Sequence, residues 1–285
     1  MQHNLQKMPT FASQQDLLEE RVKVTQALSK VLETPLSNSR KVNLGLIGLY
    51  YCELEKAIES QNFKMAKCSL EKLKRLLGEL IIAKRFFEYQ KDGFSKIVRD
   101  LTSPEPSNSF GARAELMMLN FLLEDFLHTP QISLDDIVKR ESPDYSVKTS
   151  HGNIFLEVTH VRLHKAKKKG IGDKIRKAIR AKSNKPYSNR QTVLFLDITN
   201  LVYRQIEAKR SVDELKPYAE KTLSNSSFGA VVLMCGLFTE QGKYIPDYFT
   251  VTHREASEAL TGFLNRHYPN NHIESKQMLY PTPTM

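Results

Sequence analysis

Over the first hundred residues the apolar positions recur at three- and four-residue intervals, the period of one helix face. Ser13-x-x-Asp16 has the form of a capping box, and Leu17, Leu18, Val22, Leu28, Val31 and Leu32 follow it on a helical stripe that Thr34-Pro35 ends. A second stripe carries Leu46, Tyr50, Leu54 and Ile58, and a third carries Phe63, Ala66, Leu70, Leu73, Leu77, Leu80 and Ile81. Phe86, Phe87, Phe94, Ile97 and Leu101 continue the apolar pattern. This part reads as a helical bundle with a packing or partner-binding role and no evident chemistry. Ser103-Pro104-Glu105-Pro106-Ser107-Asn108-Ser109 breaks the pattern as a linker.

Beyond the linker the pattern alternates between helix and strand. Phe110 to Leu127 predicts a helix, Leu134 to Lys139 a strand, and Tyr145 to Val161 a hairpin. A short helix capped by Asp173 follows, with Ile175, Ala178 and Ile179 on its buried side. Thr192 to Ile198 and Gly229 to Cys235 are continuous apolar runs, as central strands covered on both faces require, with a helix from Val212 to Leu223 between them. Thr252-x-x-Glu255 caps a last helix through His267. The chain is therefore expected to be α/β with a mixed sheet, divided as a helical domain 1–102, an α/β domain 103–270 and a loose tail 271–285.

The hairpin carries the candidate chemistry. Ser142-Pro143-Asp144-Tyr145 opens one arm, and thirteen residues after the aspartate Phe155-Leu156-Glu157-Val158-Thr159 lies on the other. A loop at Ser150-His151-Gly152-Asn153 supplies glycine and asparagine for positive φ. Two-fold alternation puts Ile154, Leu156 and Val158 on one face and Phe155, Glu157 and Thr159 on the other. With Thr149 paired to Ile154, Asp144 sits opposite Thr159 and diagonal to Glu157, roughly 7 to 8 Å away at Cα. Two oxygen-ligand carboxylates on one face make a site for a hard divalent cation.

Charge sharpens this picture. The 285 residues carry 42 Lys and Arg against 32 Asp and Glu, a net charge of +10. Between His164 and Arg190 there are eleven basic residues against one acid, Asp173, so this one stretch equals the whole chain's excess. Such concentration is the electrostatic footprint of a polyanion site, or else a solvated face. The three cysteines, Cys52, Cys68 and Cys235, are isolated and odd in number, which argues against a disulfide framework and a zinc cluster and fits a reducing cytoplasm. No apolar run of eighteen residues and no secretory leader pattern is found, so no membrane association is expected.

A helix, then a strand and hairpin bearing Pro143-Asp144 and Glu157-Val158-Thr159, then a helix and a strand, resembles the PD-(D/E)xK, or restriction-endonuclease-like, nuclease superfamily over roughly Ser109 to Cys235. The resemblance implies an αβββαβ core that hydrolyses phosphodiesters with Mg²⁺ or Mn²⁺. It implies Asp144, Glu157 and the carbonyl of Val158 as metal ligands. It offers Glu115 for the acidic position on the first core helix; otherwise Glu115 is a first-turn glutamate favoured by the helix dipole. The chain departs from the family at Thr159, where a lysine is usual. Some members, among them viral cap-snatching endonucleases, draw that lysine from the next helix, which implies Lys174 or Lys177 here, with Lys148 on the hairpin as a third candidate.

The expectation is a metal-dependent endonuclease with Asp144, Glu157, Thr159, Lys174 and Lys177 as catalytic residues. Lys165, Lys167, Lys168, Lys169, Lys174, Arg176, Lys177 and Arg180 are expected to grip nucleic acid, DNA ahead of RNA. The alternative is an inactive nuclease fold that binds nucleic acid and uses the helical part for a protein partner or self-association. Pro246-Asp247 lacks a second acid and reads as a turn before a strand, while His151 and His160 face apart and make no two-histidine site.

Overall fold

The computed structural model describes residues 14–36, 44–90, 93–126, 136–161, 170–238 and 243–270. Five helices come first: α1 (Gln14–Leu32), α2 (Gly45–Glu59), α3 (Phe63–Gln90), α4 (Phe94–Leu101) and α5 (Pro106–Phe126). Three strands follow, β1 (Ile137–Lys139), β2 (Tyr145–Thr149) and β3 (Gly152–His160), then α6 (Ile171–Ser183) and β4 (Thr192–Asp197). The chain continues through α7 (Thr199–Glu207), a 3₁₀ turn at Val212–Leu215, α8 (Lys216–Leu223), β5 (Ala230–Phe238), β6 (Tyr244–Thr252) and α9 (Glu258–His267).

The six strands form one sheet in sequence order. β3, β4 and β5 run parallel in its centre, while β1, β2 and β6 are antiparallel to their neighbours, so the sheet is mixed as expected. Parallel strands need covered faces, and both faces are covered. On one, Ile154, Leu156, Val158, Val193, Phe195 and Val232 pack with α1 to α5 and α9. On the other, Leu194, Leu196, Val231, Leu233 and Cys235 pack with α6, α7 and α8. No helix among the described residues is long and apolar enough to cross a membrane.

The N-terminal helices carry their apolar stripes inward, with Leu17, Leu28, Leu54, Leu70, Leu73 and Leu80 buried. Val22, Phe63 and Ile81 are exceptions and lie exposed. The stretch 103–109 contains the start of α5, and the apolar cluster runs across it from Leu17 to Tyr268 without a break. Gly45 marks how closely the chain folds back there: with φ +56, a Cβ on it would stand 2.3 Å from the Ser103 carbonyl oxygen.

Several local expectations are corrected. α7 was not foreseen; the Asp197 carboxylate receives the Thr199 N–H and hydroxyl at 2.9 and 2.6 Å and starts it immediately after β4. α6 has Gly170 as N-cap, and Asp173 lies inside the first turn, paired with Arg176. Ser257, whose hydroxyl accepts from Leu260 N–H at 3.2 Å, caps α9 in place of Thr252. Pro246 and Asp247 belong to β6, an edge strand, where a missing N–H is tolerated. Ser13, Leu134 and the tail 271–285 lie outside the described residues.

Candidate cation site and its basic surroundings

The hairpin closes more tightly than its sequence implied. Thr149 pairs with Gly152, Val147 with Ile154 and Tyr145 with Leu156, leaving a two-residue turn at Ser150-His151. Gly152 takes φ +123, and the Thr149 hydroxyl ties the turn by donating to the Gly152 carbonyl at 2.7 Å and accepting from His151 N–H at 3.2 Å. The register is displaced by two residues from the expected one. An even displacement preserves side-chain parity, so Asp144 and Glu157 keep a common side, but Asp144 now stands directly across from Glu157 and not across from Thr159. The same displacement sets Lys148 opposite Asn153, well along the strand from both carboxylates.

Each carboxylate is held by neighbours from a different element. The Val158 N–H donates to Asp144 Oδ2 at 2.8 Å, fixing that side chain across the two arms. Lys139, at the end of β1, lies 3.5 Å from Asp144 Oδ1 and 2.8 Å from Glu115 Oε1 on α5. Its ammonium also stands 4.4 Å from the centre of the Tyr145 ring, whose hydroxyl donates to Glu115. Glu157 shares the α6 face with Leu194, its partner in β4. Only 4% exposed, Glu157 receives Lys182 Nζ at 2.5 Å on Oε1 and a hydrogen bond from Tyr187.

The electrostatics follow from this packing. Burial raises the Glu157 carboxyl above the ordinary carboxylate range, and the Asp144 charge adds to the rise; Lys182 and the Tyr187 hydroxyl oppose it. The Tyr187 phenol is pushed far up by burial and by the Glu157 and Asp144 charges. Tyr145 is pushed up too, by burial and then by Glu115. Three carboxylates therefore face two ammonium groups, with Glu157 buried and Asp144 and Lys182 partly exposed to solvent. Lys139 and Lys182 are the cations that these carboxylates hold. Among the described residues no group of three His, Cys, Asp or Glu side chains is arranged to hold a metal ion. Two carboxylates with water completing the shell are a donor set that Mg²⁺ can use.

Lys182 escaped sequence reading, as did Lys139 and Tyr187. The signal for Lys182 was present: the buried stripe Ile175 and Ile179 on α6, extended by three residues, lands on it. Lys174 and Lys177 are on the same helix, but Lys182 lies eight residues past Lys174, about 12 Å along the axis, and it alone reaches Glu157. Thr159 is half-buried on the Glu157 face, opposite Leu196. His160 points to the other face against the Phe110 ring, 5.9 Å between centroids, and His151 is exposed in the turn.

The basic surroundings are described in part. Lys165, Lys167, Lys168 and Lys169 lie outside the described residues. On α6, Lys177 and Arg180 are exposed and Lys174 is half-buried, while Arg176 pairs with Asp173 and lies over the Tyr218 ring. A second polar cluster, also unforeseen, sits under α5: Glu79, fully buried, pairs with Arg75 and Arg113. Comparison of the chain with protein-family models, with curated proteins and with solved structures gives no match.

Proposed function

We propose that this chain is a divalent-metal-dependent nuclease of the restriction-endonuclease-like kind. The observation that carries the reading is the Asp144 and Glu157 pair, the one just before β2 and the other next in register on β3, close enough for their charges to interact and with an ammonium group beside each. The order α5-β1-β2-β3-α6-β4 agrees with the αβββαβ core that the resemblance implies. Asp144 and Glu157 would hold Mg²⁺ or Mn²⁺, with the Val158 carbonyl as a further oxygen and Glu115 at the rim. When bound, such an ion polarises a scissile phosphate and lowers the pKa of a water for in-line attack.

The protein's own groups carry the remaining work. Val158 N–H orients Asp144, so the carboxylate is positioned before any ligand arrives. Lys182 brings to the Glu157 face the ammonium that Thr159 lacks, and it takes the catalytic role that the resemblance implies for Lys174 or Lys177. A positive group aimed at a phosphorane stabilises charge as it develops. Lys177 and Arg180, exposed on the same helix, extend the positive surface away from the site and suit a nucleic-acid backbone. DNA is preferred over RNA on the family resemblance alone.

The test is Mg²⁺-dependent cleavage of single- and double-stranded DNA and RNA by the purified chain, beside Asp144→Ala and Glu157→Ala. Cleavage by the wild type that falls to background in both variants is expected. Cleavage unchanged in both sinks the site. Salt-sensitive binding without cleavage in any arm favours the inactive nucleic-acid-binding reading.

A further inference from the structure

We propose that the cleft between the hairpin turn and α9 is a second binding site, for a phosphate ester. It lies away from the Asp144 and Glu157 pair and does not depend on how that pair is read. Lys148 pairs with Asn153, four residues before Glu157 on β3 and about 13 Å back along the strand. α9 packs on the sheet face opposite to the one that Glu157 shares with Leu194. The cleft has a volume of about 650 Å³, within the range of small-molecule sites.

One wall is the chain from Lys148 to His151, and the other is formed by Ala259, Gly262, Phe263 and Arg266 of α9. These α9 positions follow one another at three- and four-residue spacing, so they make one stripe of the helix. Phe263 and His267 are 4% and 7% exposed, with ring centroids 4.8 Å apart, so the imidazole is packed into that wall. Charge is the first ground for an anion. Lys148 and Arg266 are exposed, and neither has an ion pair or side-chain hydrogen bond with a described residue. Elsewhere in this half of the chain Lys139, Arg176, Lys182 and Arg190 all have carboxylate partners. Asp136 is the one acid on the described walls, and it is already engaged. A lysine point charge, the planar donor fork of an arginine and the Ser150 hydroxyl come from two facing walls. Donors spread in this way suit a phosphate ester, which offers more oxygens than a carboxylate.

The second ground is Gly262. It sits inside α9 without a positive φ, and a Cβ on it would meet nothing within 4 Å. Neither the backbone nor the packing requires glycine there, and glycine inside a helix is less favourable than alanine. Its missing side chain keeps the middle of the α9 wall open, which a ligand lying between Lys148 and Arg266 needs.

The experiment is calorimetric titration of the full chain in metal-free buffer, with adenosine 5′-monophosphate, adenosine, acetate and a short single-stranded oligonucleotide lacking terminal phosphates. Thermal melting first confirms that each variant is folded. The mononucleotide is expected to bind, and adenosine and acetate are not. Lys148→Ala and Arg266→Ala each weaken its binding by about tenfold or more, the worth of one charge-assisted contact. Gly262→Glu, which sets a negative charge in the open middle of the wall, abolishes it, while Gly262→Ala keeps it within about threefold. The source of the phosphate follows from the same variants. Tighter and variant-sensitive binding of the oligonucleotide assigns it to a nucleic-acid strand, and tighter binding of the mononucleotide assigns it to a free nucleotide. Adenosine or acetate binding as well as the mononucleotide overturns the proposal. So does affinity unchanged in either alanine variant or in Gly262→Glu, or no binding of mononucleotide or oligonucleotide at millimolar concentration. Where Gly262→Glu does not melt cooperatively, the two alanine variants decide. The nuclease reading is tested separately by cleavage in Asp144→Ala and Glu157→Ala, so each reading fails without the other.

Discussion

Position 159 carries a hydroxyl on the Glu157 face, and the ammonium nearest that carboxylate comes from Lys182, 25 residues further along the chain. If Lys182 stabilises the developing phosphorane, Lys182→Met lowers kcat by about 10² to 10³, the usual cost of one positioned donor. Lys177→Ala weakens binding and lowers the salt slope by about one, with kcat kept. Single-turnover cleavage across a salt series separates the two, and equal kcat losses would remove Lys182 from its role. Asp197 gives a pH-dependent expectation. Burial raises its carboxyl above the ordinary range against the pull of the Thr199 hydrogen bonds and Arg113. The folded state thus holds a proton that the unfolded chain releases near the ordinary value of about 3.9. Stability from this group is present at low pH and falls as pH rises from there to the raised folded value. Asp197→Asn keeps an acceptor for Thr199 and removes the fall, so urea unfolding shows it gaining on the wild type as pH rises above about 4. A difference that does not change with pH would contradict this.

At the scale of elements, the hairpin shows what patterning fixes and what it leaves free. Alternation along β3 assigned Ile154, Leu156 and Val158 to one face and Glu157 to the other, and burial agrees. The register differs by two from the expected one because a two-residue turn and a four-residue loop both satisfy the same alternation. Only the Thr149 hydroxyl bonds and the β1 and β4 neighbours distinguish them. α7 escapes the pattern for a related reason: its start depends on Asp197, which the apolar run Thr192 to Ile198 places inside a strand. The joint between β5 and α9 is equally tertiary. Gly229 donates to the Asn189 and Thr192 carbonyls at 3.1 and 3.0 Å, and a Cβ there would stand 2.2 Å from the Arg190 carbonyl oxygen and 2.5 Å from Leu260 Cδ2. Backbone on one side and a packed leucine on the other leave little room to yield. Gly229→Ala is expected to cost about 1 to 3 kcal/mol in denaturant unfolding, and a neutral result would show that α9 moves freely off the sheet.

At the scale of the molecule, the helical part and the sheet share one apolar cluster, because α5 packs against α3 and α4 on one side and against β3 and β4 on the other. The expected cut at 103 would strip α2, α3 and α4 from α5, whose Leu116, Leu119 and Leu123 are buried. A chain of residues 103–270 alone is therefore expected to lose cooperative melting and to bind a hydrophobic dye, whereas one that melts sharply would speak for an independent α/β domain.

The amino-acid sequence determined the helix-then-strand order, the mixed α/β class and the common face of Asp144 and Glu157. These rest on side-chain periodicity and parity, which are local. Tertiary structure alone decided the register that sets those carboxylates across from each other, the lysines that face them, and the core that the two halves share. Lys139 is indistinguishable in sequence from a solvated lysine, and Lys182 is marked there only by its place on the Ile175 and Ile179 stripe; what identifies both is a carboxylate brought from a distant element.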